Sequence, residues 1–231
     1  MEICVFYTSP KLGDIILQLP FLKAIAKHYN VNVTLCINKN INIGKILQKQ
    51  SYINSIIENP FRKGRFFLSD VFNLSKKLNE KNIDCAFILD KTKGPAIACN
   101  LARVKKIYGF GIGSQKYFVE KFPTLNRNDL RYNYTKQSIK FLHKLNIFCD
   151  FNESFLVLDQ EENKNLLKEY EGLPKPWVCF AVDSTEVNRV WPQRNFAQLA
   201  DKLIEKNFAK TIFIINYENH KKYFEEVIKN S

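Results

Sequence analysis

No apolar run in this 231-residue chain approaches the length needed to cross a bilayer, because charged and polar residues interrupt every one. The first residues, Met1-Glu2-Ile3-Cys4-Val5, lack the basic stretch and following apolar segment of a secretory signal, so the expected location is the cytosol. No two cysteines form a C-x-x-C pair, and there are only three histidines. That leaves no ligand set of familiar spacing, so no metal is expected. The six cysteines read as reduced thiols. Cys4, Cys36, Cys85 and Cys179 lie in strand-like runs, Cys99 in a helical one, and Cys149 at a helix–loop junction. Basic and aromatic residues are not interleaved in a recognition pattern, and the lysines are scattered, often alternating with Asn. Nucleic acid is therefore not an expected partner. The net charge of +12 instead favours phosphate groups on a substrate or an anionic lipid surface.

What is present is enough apolar residue, 45%, for a packed core. The chain is organised around Lys11-Leu12-Gly13-Asp14-Ile15-Ile16-Leu17-Gln18-Leu19-Pro20. An apolar run, Ile3–Tyr7, reads as a buried strand before it. A helical pattern, with Ile15, Ile16, Leu19, Leu22, Ile25 and Ala26 on one face, follows. Gly13 and Asp14 thus fall where a strand becomes a helix, the carboxyl edge at which open parallel sheets bind ligands. Gly13 lets the backbone turn or approach a ligand closely. By local pattern alone, Asp14 is an N-cap.

Strand and helix signals then alternate. Residues 31–37, 53–58, 84–90 and 106–110 read as strands. Residues 43–49, 69–82, 96–102 and 134–145 read as helices, and 117–130 as irregular. This alternation predicts a doubly wound parallel α/β sheet. Phe155–Leu158 is extended, and 159–171 a solvated helix. Gly172-Leu173-Pro174-Lys175-Pro176 has the turn residues of a linker, which sets domains at 1–171 and 177–231. The pattern restarts with a strand at 177–182, a helix opened by Pro192 and running to about 206, a strand at 211–215 and a helix at 220–229. This second unit is shorter than a doubly wound domain ordinarily is, so its apolar surface is expected to be incompletely covered.

Three segments, in order, resemble glycosyltransferase family 9, the heptosyltransferase family. They are Gly13-Asp14-Ile15-Ile16-Leu17-Gln18-Leu19-Pro20, the stretch Asp84–Phe110, and Arg189-Val190-Trp191-Pro192-Gln193-Arg194-Asn195-Phe196. The resemblance implies a two-domain GT-B fold: an N-terminal Rossmann-like domain for the acceptor and a second, incomplete Rossmann-like domain for the donor. It implies inverting, metal-independent transfer of a heptose or related sugar from an ADP-sugar to a lipopolysaccharide core-type acceptor. No cofactor is expected beyond the ADP-sugar substrate. The partners would be that nucleotide-sugar and an anionic glycolipid, with peripheral contact at the inner face of the cytoplasmic membrane.

The same resemblance makes Asp14 the general base and sets Arg189 against the donor's diphosphate. A carboxylate near the acceptor hydroxyl and a cation near the leaving diphosphate suit such a transfer. Ser184 and Thr185 can donate to phosphate oxygens or simply end a strand. Arg62, Lys63, Arg65, Lys91 and Lys93 can grip anionic groups of the acceptor, and a solvated loop accounts for them equally well. Trp191 reads as a core anchor rather than a stacking platform. The sequence departs from the family where a glycine would follow the strand at 178–181 and where a Gly-rich turn would follow 212–215. The later D-[ST]-G-x-x-H-x-A element around the donor is absent, so a fragment or a non-catalytic acceptor-binding module with a vestigial donor site stands as the alternative.

Overall fold

The computed structural model describes residues 1–8, 11–38, 44–61, 67–151, 156–182, 184 and 189–215. They divide into two compact units, Met1–Asp159 and Gln160–Ser231. The first unit alternates β1 (Ile3–Tyr7), α1 (Leu12–Ile16), α2 (Leu19–Tyr29), β2 (Val33–Asn38), α3 (Gly44–Gln48), β3 (Ile53–Asn59), α4 (Leu68–Glu80), β4 (Cys85–Ile88), α5 (Gly94–Leu101), β5 (Lys106–Gly109) and α6 (Tyr134–His143). Its five strands pair in parallel in the order β3-β2-β1-β4-β5. The order reverses between β1 and β4, which is the topological switch point where such sheets open a ligand crevice.

Period-two alternation divides each strand between two cores. Ile3, Val5 and Tyr7 face the cluster with Leu19, Leu22 and Ile25 of α2 and Phe141 and Leu142 of α6. Cys4 and Phe6 face the cluster with Val71, Leu74 and Leu78 of α4 and Ala96, Ala98 and Cys99 of α5. Both faces are covered, so β1 is buried throughout. The cysteines expected in strands 1, 2 and 4 are buried and unpaired. Burial pushes the Cys4, Cys36, Cys85 and Cys99 thiols up, Cys85 to about 12.

Asparagine closes four of the described helices, and Arg103, at φ 57°, closes α5. Asn30, Asn82, Asn146 and Asn207 all have positive φ, between 49° and 58°. At each, the next residue donates its N–H back across the turn, Val31 to Ala26, Ile83 to Leu78, Ile147 to Leu142 and Phe208 to Leu203. This is the left-handed helix stop that glycine usually supplies, and asparagine tolerates it better than other side chains.

One expectation changes. The first long helix is two: α1 ends at Ile16 and α2 begins at Leu19, because Pro20 has no N–H to bond the Ile16 carbonyl. Residues 156–158, expected to be extended, have no regular secondary structure. The first compact unit ends at Asp159. Gln50 holds the preceding segment through Val157, donating to its carbonyl and accepting from its N–H at 2.9 and 2.8 Å, and Lys49 pairs with Asp159. The helix after that tie, α7 (Gln160–Tyr170), belongs with the second unit, where Tyr170 packs edge-on against Phe213. Phe155 and the helix expected at 220–229 lie outside the described residues.

The second unit also contains β6 (Trp177–Ala181), α8 (Gln193–Glu205) and β7 (Thr211–Ile215). Its two described strands pair in parallel from Trp177↔Thr211 to Ala181↔Ile215.

Candidate functional site

After β1 the chain passes Thr8 and enters α1 with Lys11 at the cap position, its backbone extended at φ −99°, ψ 130°. Asp14 is therefore not the N-cap; it sits inside the first turn, where a carboxylate still meets the positive end of the peptide dipoles. Asp14 is half-buried. Gly13 does not have a left-handed backbone, and a Cβ built on it meets nothing within 4 Å among the described residues. The tight turn expected of it is not required; what Gly13 does is leave open space in front of the Asp14 turn.

Beneath this turn lies a polar cluster that the sequence did not single out. Tyr7 ends β1, and the side chain of Gln18, itself 2% exposed, hydrogen-bonds its phenol. Burial first, then the negative charges of Asp14 and Asp90, push the Tyr7 phenol well above its usual range. Gln18 Oε1 is buried with no hydrogen-bond donor among the described residues. Asp90, 6% exposed, follows β4 directly across the switch point. Its Oδ2 accepts from the Thr8 N–H at 3.1 Å and the Thr8 hydroxyl at 2.7 Å. Its Oδ1 accepts from the Thr92 N–H at 2.7 Å and the Thr92 hydroxyl at 2.5 Å. The only available sequence signal was position: an acid ending the apolar run 85–89, on the same edge as Asp14.

Lys91 and Lys93 flank Thr92 and are exposed, and Lys93 is the residue before α5. Gly13, Asp14, Lys91 and Lys93 are thus brought to one edge of the first unit's sheet. Arg62, Lys63 and Arg65 lie outside the described residues. Their flank, Phe61, packs so closely on the start of α5 that a Cβ on Gly94 would lie 2.8 Å from its ring.

The second unit repeats the strand–loop–helix relation. Beyond β6, Ser184 is half-buried and Arg189 exposed, and Thr185 lies outside the described residues. Pro192 takes the position before α8 rather than its first turn, at φ −56°, ψ 138°, and no side chain caps the helix. Trp191 is 45% exposed, so it is not the core anchor expected. It stands edge-on to Phe196, centroids 4.9 Å apart, and Phe196 in turn meets Phe180 of β6. This stack fixes the segment carrying Arg189 to its strand. Among the described residues no group of three His, Cys, Asp or Glu is placed to hold a metal ion, and no helix is long and apolar enough to cross a membrane.

Residues 71–231 match the family model for glycosyltransferase family 9 (heptosyltransferase). No curated protein sequence matches significantly. Among solved structures, a glycosyl transferase family 9 protein from Veillonella parvula superposes with a TM-score of 0.76 at 19% identity, over 99% of this chain and 66% of that one. ADP-heptose lps heptosyltransferase II from E. coli gives 0.73 at 15% identity, over 100% and 69%. An E. coli heptosyltransferase solved with ADP gives 0.66 at 13%, over 99% and 72%. This chain therefore spans about two thirds to three quarters of the lengths of these structures. At these identities the likeness establishes the fold, an α/β architecture of GT-B type with a Rossmann-like first sheet.

Proposed function

The chain belongs to glycosyltransferase family 9, and from that membership we propose that it transfers a heptose or related sugar from an ADP-sugar to a lipopolysaccharide core-type acceptor, with inversion and without a metal. The observation that carries this reading is Asp14, half-buried in the first helical turn beside the switch point, with open space before Gly13. In the step proposed, the Asp14 carboxylate takes the acceptor hydroxyl proton as that oxygen bonds to the anomeric carbon. The bond from that carbon to the diphosphate breaks, and its electron pair leaves with ADP.

Division of labour follows the chain. Residues 1–171 serve the acceptor, with Lys91 and Lys93, and Arg62, Lys63 and Arg65, meeting its anionic groups. Residues 177–231 serve the donor, with Arg189, Ser184 and Thr185 at the diphosphate. The net charge of +12 suits an anionic glycolipid and peripheral contact with an anionic membrane. A second reading is an acceptor-binding module without turnover, resting on Asp14, Lys91 and Lys93 standing on one edge of the first unit's sheet.

Calorimetric titration with ADP and a transfer assay separate the two. A transferase binds ADP, loses that binding in Arg189→Ala, and in Asp14→Asn keeps it while losing turnover, because Asp14 acts only as the hydroxyl gives up its proton. Absence of ADP binding by the wild-type chain selects the module. Full turnover by Asp14→Asn removes the base assignment.

A further inference from the structure

Asp90 is a carboxylate buried at the centre of the sheet's carboxyl edge, and the transfer chemistry does not use it. Burying an ionised carboxylate is costly unless every lone pair finds a donor. Here the donors among the described residues are neutral, and they are arranged symmetrically. One oxygen takes the N–H and O–H of Thr8, the other the N–H and O–H of Thr92. An asparagine has a single acceptor oxygen and would turn its NH2 toward the backbone N–H of one of the two threonines. The pattern therefore needs a carboxylate, and what it joins is two loops. Thr8 begins the connection from β1 that carries Lys11, Gly13 and Asp14. Thr92 stands between Lys91 and Lys93.

A third loop closes the arrangement. Gln115, fully buried in the turn after β5, donates through Nε2 to the Asp90 carbonyl at 2.9 Å and the Thr92 carbonyl at 2.8 Å. Its Oε1 accepts from the Gly111 N–H at 2.8 Å. The β4–α5 loop is thus fastened on both sides, to β1 through the Asp90 carboxylate and to the loop after β5 through Gln115.

We propose that Asp90 is a positioning residue, whose carboxylate sets the spacing between the segment bearing Asp14 and the loop bearing Lys91 and Lys93. This rests on the roles proposed above: an acceptor whose anionic groups lie on the lysines presents its hydroxyl to Asp14 only while the two loops keep register. A displacement of about 1 Å between base and hydroxyl costs on the order of a hundredfold in rate.

Thr92→Val tests it in the full chain, since it removes one hydroxyl donor at nearly constant volume. Two readouts are taken. The first needs no turnover: amide hydrogen exchange, followed by NMR, at Ile15 and Leu17, whose N–H groups bond Lys11 and Gly13 carbonyls at 3.3 and 3.1 Å. Thr92 lies in a different loop, so exchange at these amides rises about tenfold or more only if Asp90 transmits the change across the switch point. The second is ADP release from ADP-heptose with a lipopolysaccharide-core acceptor. Thr92→Val and Asp90→Asn lower kcat about tenfold or more and raise the acceptor KM, with donor KM within about twofold, and Thr92→Ser recovers most of the loss. Unchanged exchange at Ile15 and Leu17 in Thr92→Val overturns the proposal whatever the turnover. So does faster exchange with kinetics equal to wild type in a chain that Asp14→Asn inactivates. Full activity of Asp14→Asn removes the base assignment instead, and the exchange result then decides the tie between the loops by itself.

Discussion

The two sheets of this molecule are made of similar residues and end up in different surroundings. β1, Ile-Cys-Val-Phe-Tyr, is buried at every position. β6, Trp-Val-Cys-Phe-Ala, is as apolar, yet only Phe180 is buried, and Cys179 and Ala181 are exposed. β7, Thr-Ile-Phe-Ile-Ile, is half-buried, and Ile215 is 60% exposed. Both pairs form regular parallel ladders. An apolar β-branched run is thus enough to specify a strand, but burial comes from strands on both edges and helices on both faces. Unit 1 supplies them in its described residues, with β1 between β2 and β4 and a core on each side. The described part of unit 2 supplies one neighbouring strand.

Thiol labelling tests this contrast most strongly. In native protein near pH 8, Cys179 is expected to react first. Cys4, Cys36, Cys85 and Cys99 should react at least about a thousandfold more slowly, through global opening of the sheet. Cys149 falls between, partly exposed and with burial lifting its thiol to about 11. Labelling of Cys36 at the rate of Cys179 would break the comparison.

Next come truncations. Phe87 is fully buried between the rings of Tyr29 and Tyr108. Phe87→Ala should cost about 3–5 kcal/mol in urea unfolding. Asp129, buried in the irregular stretch before α6, accepts the Asn126 N–H at 3.0 Å and the ammonium groups of Lys144 and Lys140 at 3.1 and 3.3 Å. The Asn126 N–H above all, with Lys144 and Lys140, holds its carboxyl below the usual carboxylate range. A lowered folded value means the stabilisation is whole above the unfolded value of about 3.9 and disappears as pH falls through the folded one. Asp129→Asn should therefore cost about 1–2 kcal/mol at pH 7 and flatten the acid limb of the stability curve below about pH 4.

Phe213, half-buried against Tyr170 and Trp177, should cost only about 1 kcal/mol on truncation to Ala. A loss equal to that of Phe87 would show that β7 is as well covered as β4. The smallest effect belongs to Lys105, exposed and paired with Asp84 at 2.6 Å. Lys105→Met should leave the unfolding midpoint unchanged within error at 0.15 M salt, since an exposed pair is screened.

Much of the site was legible because strand-to-helix junctions announce themselves locally. Asp14 was placed at the sheet's carboxyl edge from β-α alternation alone, and the structure puts it there, with Lys91 and Lys93 on the same edge. Asp14 as a cap was a misreading by three residues, because Lys11 takes the cap position, with no side-chain capping hydrogen bond. Thr8, Gln18, Asp90 and Gln115 were missed because a buried polar residue has no periodic signature. Its partner lies 82 positions away for Thr8 and Asp90, and 25 for Asp90 and Gln115.

By itself the sequence determined what depends on neighbours along the chain. That covers the alternation of strands and helices, the parallel class, the Asn stops in place of glycine, the break before Pro20, which a reading of apolar periodicity passed over, and the carboxyl-edge location of Gly13 and Asp14. Only the tertiary structure decided the strand order, and with it the adjacency of β1 and β4 that lets one carboxylate hold Thr8 and Thr92. It also decided that the first compact unit ends at Asp159. The physical reason is the same in both cases. Propensity and period act over a few residues, whereas the choice of neighbouring strand and the last side-chain tie of a unit are settled by which distant surfaces bury each other.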